Sequence, residues 1–182
     1  QLSSLAVLSS NRIALGVGLS PWPEDFEVCQ IPWEKRGQRM DEMIEIIRGL
    51  MKGDYFGYKG QIFEMEPIKL CPVPSQPVPI LIGGHADAAL KRAARIGDGW
   101  ISAGTSLEEL DGYLKKLHAF RAGFGREKEP FEIQNMGASA YTPDGVKRLE
   151  EMGVDEVIVA FRDVYKKQPD TTLEEKLATM RW

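Results

Sequence analysis

The stretch "PVPILIGGHADAALKRAARIGDGW" (residues 77–100) joins a short apolar run, a pair of glycines and an amphipathic run. The apolar run at 78–82 has the character of a strand that is covered on both faces, and it predicts a buried strand. After it, apolar residues recur with helical spacing at Ala86, Ala89, Leu90, Ala93 and Ala94. Gly83 and Gly84 therefore stand where a strand turns directly into a helix, and an α/β protein can hold an anion at such a junction.

The composition is that of an ordinary soluble globular protein. The 182 residues, 43% hydrophobic and 27% charged, are enough to bury a core. A net charge of −4 and the lack of a Lys/Arg cluster argue against nucleic-acid binding. Cys29 and Cys71 have neither CxxC spacing nor neighbouring histidines, so we expect reduced thiols in a cytoplasmic protein and no metal site. No apolar run approaches the roughly 18 residues of a membrane span, so no membrane association is expected.

The first residues, "QLSSLAVLSSNR", contain neither an initiating methionine nor a basic leader with a cleavage site, and they do not predict a signal peptide. Leu2, Leu5 and Leu8 predict the last turns of a helix with the leucines on one side. We expect the chain to begin within a fold, so that part of the protein precedes it.

Strands and helices alternate along the rest of the chain, a pattern that predicts βαβ units and a parallel sheet. Strands are expected at 13–19, 78–82, 100–102, 131–138 and 156–161. Helices are expected at 34–53, 86–96, 105–125, 142–154 and 171–182, with Ser106 as the N-cap of the third. The proline-rich segment 20–33 predicts a long loop, and 54–77 predicts an irregular excursion that contains a small hairpin.

Five motifs occur in a recognisable order: "NRIALGVGLSPWPEDFEV", "RGQRMDEMIEIIRGLM", "FGYKGQIF", "PVPSQPVPILIGG" and "AARIGDGW". Together they resemble the bacterial luciferase-like monooxygenase family, whose members use flavin mononucleotide (FMN) or the deazaflavin F420. The likeness is close over residues 1 to about 104 and weaker beyond.

The resemblance implies an α/β fold of the (β/α)8 TIM-barrel type, of which this chain supplies about strands 4 to 8 with their helices. Residues 1–182 would form a single barrel domain whose N-terminal part is missing, with 54–77 as an insertion. The five strands would form a parallel sheet in sequential order, and its two edge strands would be too apolar to remain uncovered. The chain on its own is therefore expected to be unstable or prone to associate.

The family resemblance also implies a cofactor site. Barrel enzymes place their chemistry at the carboxyl ends of the strands, where Gly83, Gly84, His85 and Ala86 follow the fifth barrel strand. Their backbone N–H groups would cradle the cofactor phosphate. The alternative is a tight turn that needs glycine only for its backbone angles. His85 would donate to the phosphate or simply end the loop, and catalysis is the role least expected of it.

Gly16 and Gly18 end the fourth barrel strand, where the family brings the cofactor ring near the barrel mouth. They are either cofactor-binding residues or make room for a bulky neighbour inside the barrel. Trp22, in the loop that follows, either walls the pocket or anchors the loop.

Two charged residues are assigned structural roles. We expect Arg36 to pair with Asp41, Glu42 or the barrel rim. Asp98 precedes its strand, at the stability face of a barrel, and is expected to cap or turn the chain there.

The function implied is that of an oxidoreductase that uses FMN or F420 to oxidise or oxygenate a small organic substrate, with incorporation or reduction of molecular oxygen. Some F420-dependent members carry a glutamate shortly after the "GVG" strand, whereas this chain has Ser20 and Pro21 there, which favours FMN. No catalytic residue is identified. A flavin reductase or NAD(P)H supply and a homo-oligomeric state are expected. The alternative is a non-catalytic flavin-binding relative with a reduced barrel.

Overall fold

The structure is a computed structural model that describes residues 1–160 and 171–179. It consists of two compact units, residues 1–80 and the residues from 81 onward, and each is described by itself. The division falls inside the stretch 77–100, at the beginning of its strand.

The first unit begins with helix α1 (Leu2–Leu8), strand β1 (Leu15–Val17) and helix α2 (Pro23–Val28). The predicted helix is present; its buried residues are Ser3 and Ala6, whereas Leu5 and Leu8 are exposed. Strand β1 is shorter than predicted, and the amide of Leu15 donates to the carbonyl of Pro79 at 2.8 Å, just before the next long strand.

Helix α2 lies where the sequence predicted a loop. Its proline stands in the first turn, where a missing N–H costs nothing, and Glu24 and Asp25 follow it in the same turn, which suits the positive end of the helix dipole. The three prolines of the segment obscured these helix-starting signals.

Helix α3 (Arg36–Leu50) is followed by an antiparallel hairpin of strands β2 (Phe56–Lys59) and β3 (Glu64–Ile68), as predicted. The carboxylate of Glu42, which is buried on α3, binds the hairpin turn by accepting from the amides of Gln61 (2.9 Å), Ile62 (3.1 Å) and Phe63 (2.9 Å). The guanidinium of Arg36 lies 3.6 Å from the centroid of the Trp33 ring, a contact that the sequence did not predict.

The second unit is built on four parallel strands in the order β4 (Ile80–Gly83), β5 (Gly99–Ala103), β6 (Glu132–Met136) and β7 (Glu156–Val157). This sequential order confirms the predicted βαβ arrangement. Gly99 permits close pairing, because a Cβ there would stand 2.5 Å from the carbonyl oxygen of Glu132. The last strand was predicted to extend to 161. The structure has only its first two residues as strand, and Phe161 lies outside the described residues.

Helices α4 (Asp87–Ile96), α5 (Leu107–Gly123) and α6 (Pro143–Glu151) connect these strands, and a short 3-10 helix (Ala138–Tyr141) follows β6. A last helix, α7 (Leu173–Thr179), begins in the segment predicted to be helical, whose residues 180–182 lie outside the described part. The helices bury their apolar faces as the periodicity predicted, together with the central strands. The buried side chains include Leu81, Ile82, Leu90, Ala93, Trp100, Leu110, Leu114, Leu117, Ile133 and Leu149.

Within the described part of the chain, none of the helices has the length and apolar character needed to cross a membrane.

Candidate functional site

The turn between β4 and α4 contains the four residues predicted to bind a phosphate. Strand β4 ends at Gly83 and helix α4 begins at Asp87, with Ala86 as an extended N-cap that has no side-chain cap hydrogen bond. Gly84 and Ala86 are exposed. The amides at the start of α4 therefore lack a side-chain acceptor from the N-cap, and the turn before them is accessible to a ligand.

Gly84 adopts a backbone conformation that favours glycine. Its φ is +118°, and a Cβ at this position would stand 3.0 Å from the Cβ of Ala89. The turn thus requires glycine for its own geometry, as the tight-turn alternative stated. Because Gly84 has no side chain, a phosphate oxygen can also approach its backbone. The shape of this turn is therefore compatible with the predicted binding of a cofactor phosphate.

Trp100 on β5 is hydrogen-bonded to this turn. Its ring is fully buried, and its indole N–H donates to the carbonyl of Gly84 at 2.9 Å. A buried indole donor needs a partner, and here the partner is the carbonyl of Gly84, the positive-φ residue of the turn.

His85 is half-buried in a polar and aromatic environment. Its ring stacks on Tyr113 of α5, with centroids 4.8 Å apart and 15° between the planes, and meets Trp100 edge-on at 6.1 Å. Its Nε2 lies 3.3 Å from Ser102 Oγ and accepts from the amide of Ala103 at 3.4 Å. Burial lowers the pKa of His85, and the nearby carboxylate of Glu109 acts in the opposite direction.

Three further polar residues join His85 at the carboxyl ends of β5 and β6, and sequence reasoning missed all three. Ser102 and Asn135 are register partners on the two strands and are almost fully buried. Thr105 bridges them, with its Oγ1 3.0 Å from Ser102 Oγ and 3.3 Å from Asn135 Nδ2. The signal was a polar residue near the end of each of two neighbouring parallel strands, because such positions meet at one edge of the sheet.

Two carboxylates, those of Glu109 and Asp87, lie in the first turns of the helices α5 and α4. Glu109 closes a capping box at the start of α5: it accepts from the amide of Ser106 at 2.8 Å, while Ser106 Oγ accepts from the amide of Glu109. Hydrogen bonds from Ser106 lower the pKa of Glu109. Asp87, in the first turn of α4, pairs with Lys116 of α5 at 2.8 Å, and this bond lowers its pKa. The predicted N-cap Ser106 is thereby confirmed.

The other predicted site residues lie in the first unit. Gly16 is the middle residue of β1, Gly18 follows that strand, and both are exposed. Trp22 is the N-cap of α2, with 49% of its surface exposed. The structure therefore does not group the predicted residues in one unit: Gly83, Gly84, His85 and Ala86 form one turn, and the other three belong to the region around β1 and α2.

The start of α2 also places an acidic group beside Ser20. The hydroxyl of Ser20 accepts from the amide of Trp22 at 3.1 Å and donates to the carboxylate of Asp25. Asp25 is five residues from Ser20 in sequence, but the helical turn returns its side chain to the residue that follows the "GVG" strand.

In residues 1–160 and 171–179, no cluster of three or more His, Cys, Asp or Glu side chains is arranged to hold a metal ion.

The second unit has a parallel sheet with helical crossovers and polar groups at the carboxyl ends of its strands. This arrangement fits part of an α/β barrel. The model of the luciferase-like monooxygenase family matches residues 1–161, and the chain belongs to this family. The predicted family and the predicted fold class, a portion of a TIM-type barrel, are thereby confirmed.

Relatives and solved structures extend beyond this chain. It is 52% identical over 171 residues to an uncharacterized protein of Mycobacterium tuberculosis, covering 94% of this chain and 59% of that protein. An F420-dependent glucose-6-phosphate dehydrogenase of Amycolatopsis mediterranei is 33% identical over 118 residues, which cover 63% of this chain and 35% of that protein. The fold is similar to that of an F420-dependent secondary alcohol dehydrogenase (TM-score 0.64, 19% identity), over 74% of this chain and 42% of that one. The chain thus spans between 35% and 59% of the length of these three proteins.

Proposed function

We propose that this chain is part of an F420-dependent oxidoreductase that acts on a small organic substrate. The observation that carries the proposal is the turn Gly83–Ala86: an accessible backbone turn, with glycine at positive φ, in front of an uncapped helix. A turn of this form suits a phosphate-bearing cofactor. The family membership, and a relative 33% identical that is F420-dependent, support the choice of reaction class and cofactor.

The cofactor proposed here differs from the one that the sequence favoured. FMN was preferred because no acidic residue directly follows the "GVG" strand. Helix α2 removes that reason, since it brings the Asp25 carboxylate to Ser20. An acidic group therefore stands beside the position at which F420-dependent members carry one, and the preference for FMN loses its basis.

Each group of residues has a role in this proposal. The phosphate would be held by the backbone amides of Gly83, Gly84, His85 and Ala86 and by the His85 ring. Trp100 stabilises this turn through its hydrogen bond to the Gly84 carbonyl. Gly16, Gly18 and Trp22, in the first unit, stay predicted cofactor-binding residues. Bound F420 supplies hydride transfer, while the protein supplies orientation and excludes water from the reacting atoms. A flavin reductase would be needed only if the cofactor were a free flavin, so it is not part of this proposal, and homo-oligomerisation stays a prediction.

A binding titration of the protein with F420 and with FMN, followed by fluorescence, tests the assignment. Gly84→Asp should weaken F420 binding at least tenfold, because its carboxylate would stand against the phosphate. Gly84→Ala is the matched control for backbone strain and should weaken binding less. Equal affinities for the Asp and Ala variants would place the phosphate elsewhere, and tight binding of FMN without binding of F420 would overturn the choice of cofactor.

A further inference from the structure

Four polar groups form a continuous chain at the carboxyl edge of the second unit's sheet. Asn135 Nδ2 lies 3.3 Å from Thr105 Oγ1, Thr105 Oγ1 lies 3.0 Å from Ser102 Oγ, and Ser102 Oγ lies 3.3 Å from His85 Nε2. Ser102 and Asn135 are almost fully buried, so neither can exchange these partners for water without cost. Ser102, Thr105 and Asn135 have no role in the function proposed above.

The direction of the donors along this chain follows from the groups at its two ends. Asn135 donates through its amide nitrogen to Thr105 Oγ1, whereas the Thr105 and Ser102 hydroxyls can each donate or accept. If Nε2 of His85 is unprotonated, the Ser102 proton goes to His85 and the Thr105 proton to Ser102. At the other end, the backbone amide of Ala103 points at the same Nε2. A backbone N–H can only donate, so this 3.4 Å contact, together with the Ser102 hydroxyl, favours a lone pair on Nε2 and the ring proton on Nδ1.

We propose that Ser102, Thr105 and Asn135 are positioning residues that hold His85 as a neutral imidazole with its proton on Nδ1. His85 then offers a single uncharged donor to a singly charged phosphodiester, the linkage of F420, in preference to the nearly doubly charged monoester of FMN. This inference rests on the proposed function for the identity of the ligand, but the state of His85 itself does not depend on it.

The charges around His85 agree with a preference for a singly charged ligand. Glu109 on α5 and Asp87 on α4 are both acidic, and Lys116, which pairs with Asp87, is the cation closest to that carboxylate. Lys91 acts on Asp87 from the same helix, and Tyr113 contributes the stacked ring. Asp87 is paired with Lys116, so the carboxylate that acts on the His85 ring is that of Glu109, and it penalises a second negative charge on a phosphate bound there.

The tautomer is directly measurable by NMR of the protein labelled with ¹⁵N-histidine. The chain has two histidines, His85 and the exposed His118, and a His118→Gln variant assigns their signals. At pH 7 we expect His85 to show a protonated Nδ1 and an unprotonated Nε2. A dominant Nε2–H form, or a ring protonated on both nitrogens, would overturn the proposal whether or not any cofactor binds.

Variants test the chain of donors. Thr105→Val removes the hydroxyl in the middle at nearly constant volume, and it should raise the fraction of the Nε2–H form, whereas Thr105→Ser should restore the wild-type pattern. Ser102→Ala removes the direct donor and should reduce the ratio of F420 to FMN affinity about tenfold. An unchanged tautomer in both Thr105→Val and Ser102→Ala would show that the donors do not position His85.

The two proposals fail in different ways. If F420 binds at Gly84 but His85 carries its proton on Nε2, the further inference is wrong and the proposed function stands. If the tautomer is as expected but F420 does not bind, the proposed function and the phosphodiester preference are wrong, and only the positioning of His85 survives.

Discussion

Trp100 donates its indole N–H to the carbonyl of Gly84 at 2.9 Å, so a fully buried ring on β5 fixes the only residue of the β4–α4 turn whose φ is positive. The bond ties the conformation of the turn to the core of the second unit. A cofactor phosphate held by this turn would depend on a side chain that it does not touch.

Trp100→Phe should therefore affect binding and stability together. The change removes the hydrogen bond, leaves the Gly84 carbonyl without its partner and should reduce the free energy of unfolding by about 1–3 kcal/mol. F420 affinity should fall as well, because the turn is less well held. Urea unfolding and the fluorescence titration measure the two effects, and a loss of stability with unchanged affinity would show that the turn keeps its shape without Trp100.

The buried carboxylate of Glu42 makes the first unit sensitive to acid. Burial raises its pKa, but the hydrogen bonds from the amides of Phe63, Gln61 and Ile62 outweigh burial, and the net shift is downward. A lowered pKa in the folded state means that the carboxylate stabilises the fold above its ordinary pKa, about 4.3, and that this contribution is lost as the pH falls through the lowered value.

Glu42→Gln should consequently lower the Tm at pH 7, by roughly 5 °C, and flatten the acid side of the stability profile. Glu45→Gln is the matched control from the same helix, since Glu45 is exposed and accepts from the Tyr58 hydroxyl at 2.6 Å. The measurement is the Tm of the wild type and of both variants, from thermal melts between pH 3 and 8. Identical profiles for wild type and Glu42→Gln would mean that the hairpin turn is held by other contacts.

Sequence reasoning predicted the elements that depend on periodicity and missed those that depend on contact. The stripe Leu110, Leu114 and Leu117 could be assigned to the core because helical spacing is a local property of the sequence. The pairing of Ser102 with Asn135 could not, because it depends on the register between strands 33 positions apart. Helix α2 was missed because prolines are read as helix breakers, although a proline in the first turn favours a helix.

The turn that contains Gly83 and Gly84 could be predicted from the sequence only in part. Gly83 and Gly84 could be placed at a strand–helix junction from the sequence alone, and the structure agrees. That only Gly84 has positive φ, and that Trp100 binds its carbonyl, required coordinates.

The capping box at the start of α5 predicts a modest and specific effect. Ser106→Ala removes the acceptor for the Glu109 amide and should cost about 1 kcal/mol of stability. Glu109→Gln should reduce the acid sensitivity of this end of the helix, because the pKa of Glu109 is lowered and its contribution is lost as pH falls. Glu108→Gln, an exposed change in the same turn, is the control, and denaturant unfolding at pH 4 and pH 7 is the measurement.

Asp25 provides the sharpest test of the proposed chemistry in the first unit. Its carboxylate accepts from the hydroxyl of Ser20, three residues after the end of β1, and Glu24 is a second acidic residue of the same helical turn. If Asp25 supplies or accepts a proton during hydride transfer, Asp25→Asn should lower kcat with F420 by 10²–10⁴-fold, the usual contribution of general acid–base catalysis, and leave F420 affinity nearly unchanged. Glu24→Gln should leave both intact. Ser20→Ala removes the hydroxyl that donates to Asp25 but leaves the carboxylate in place. It should lower kcat less than Asp25→Asn does and should shift the pH dependence of kcat. Equal turnover by the Asp25→Asn and Glu24→Gln variants would show that the acidic residue beside Ser20 only shapes the start of α2.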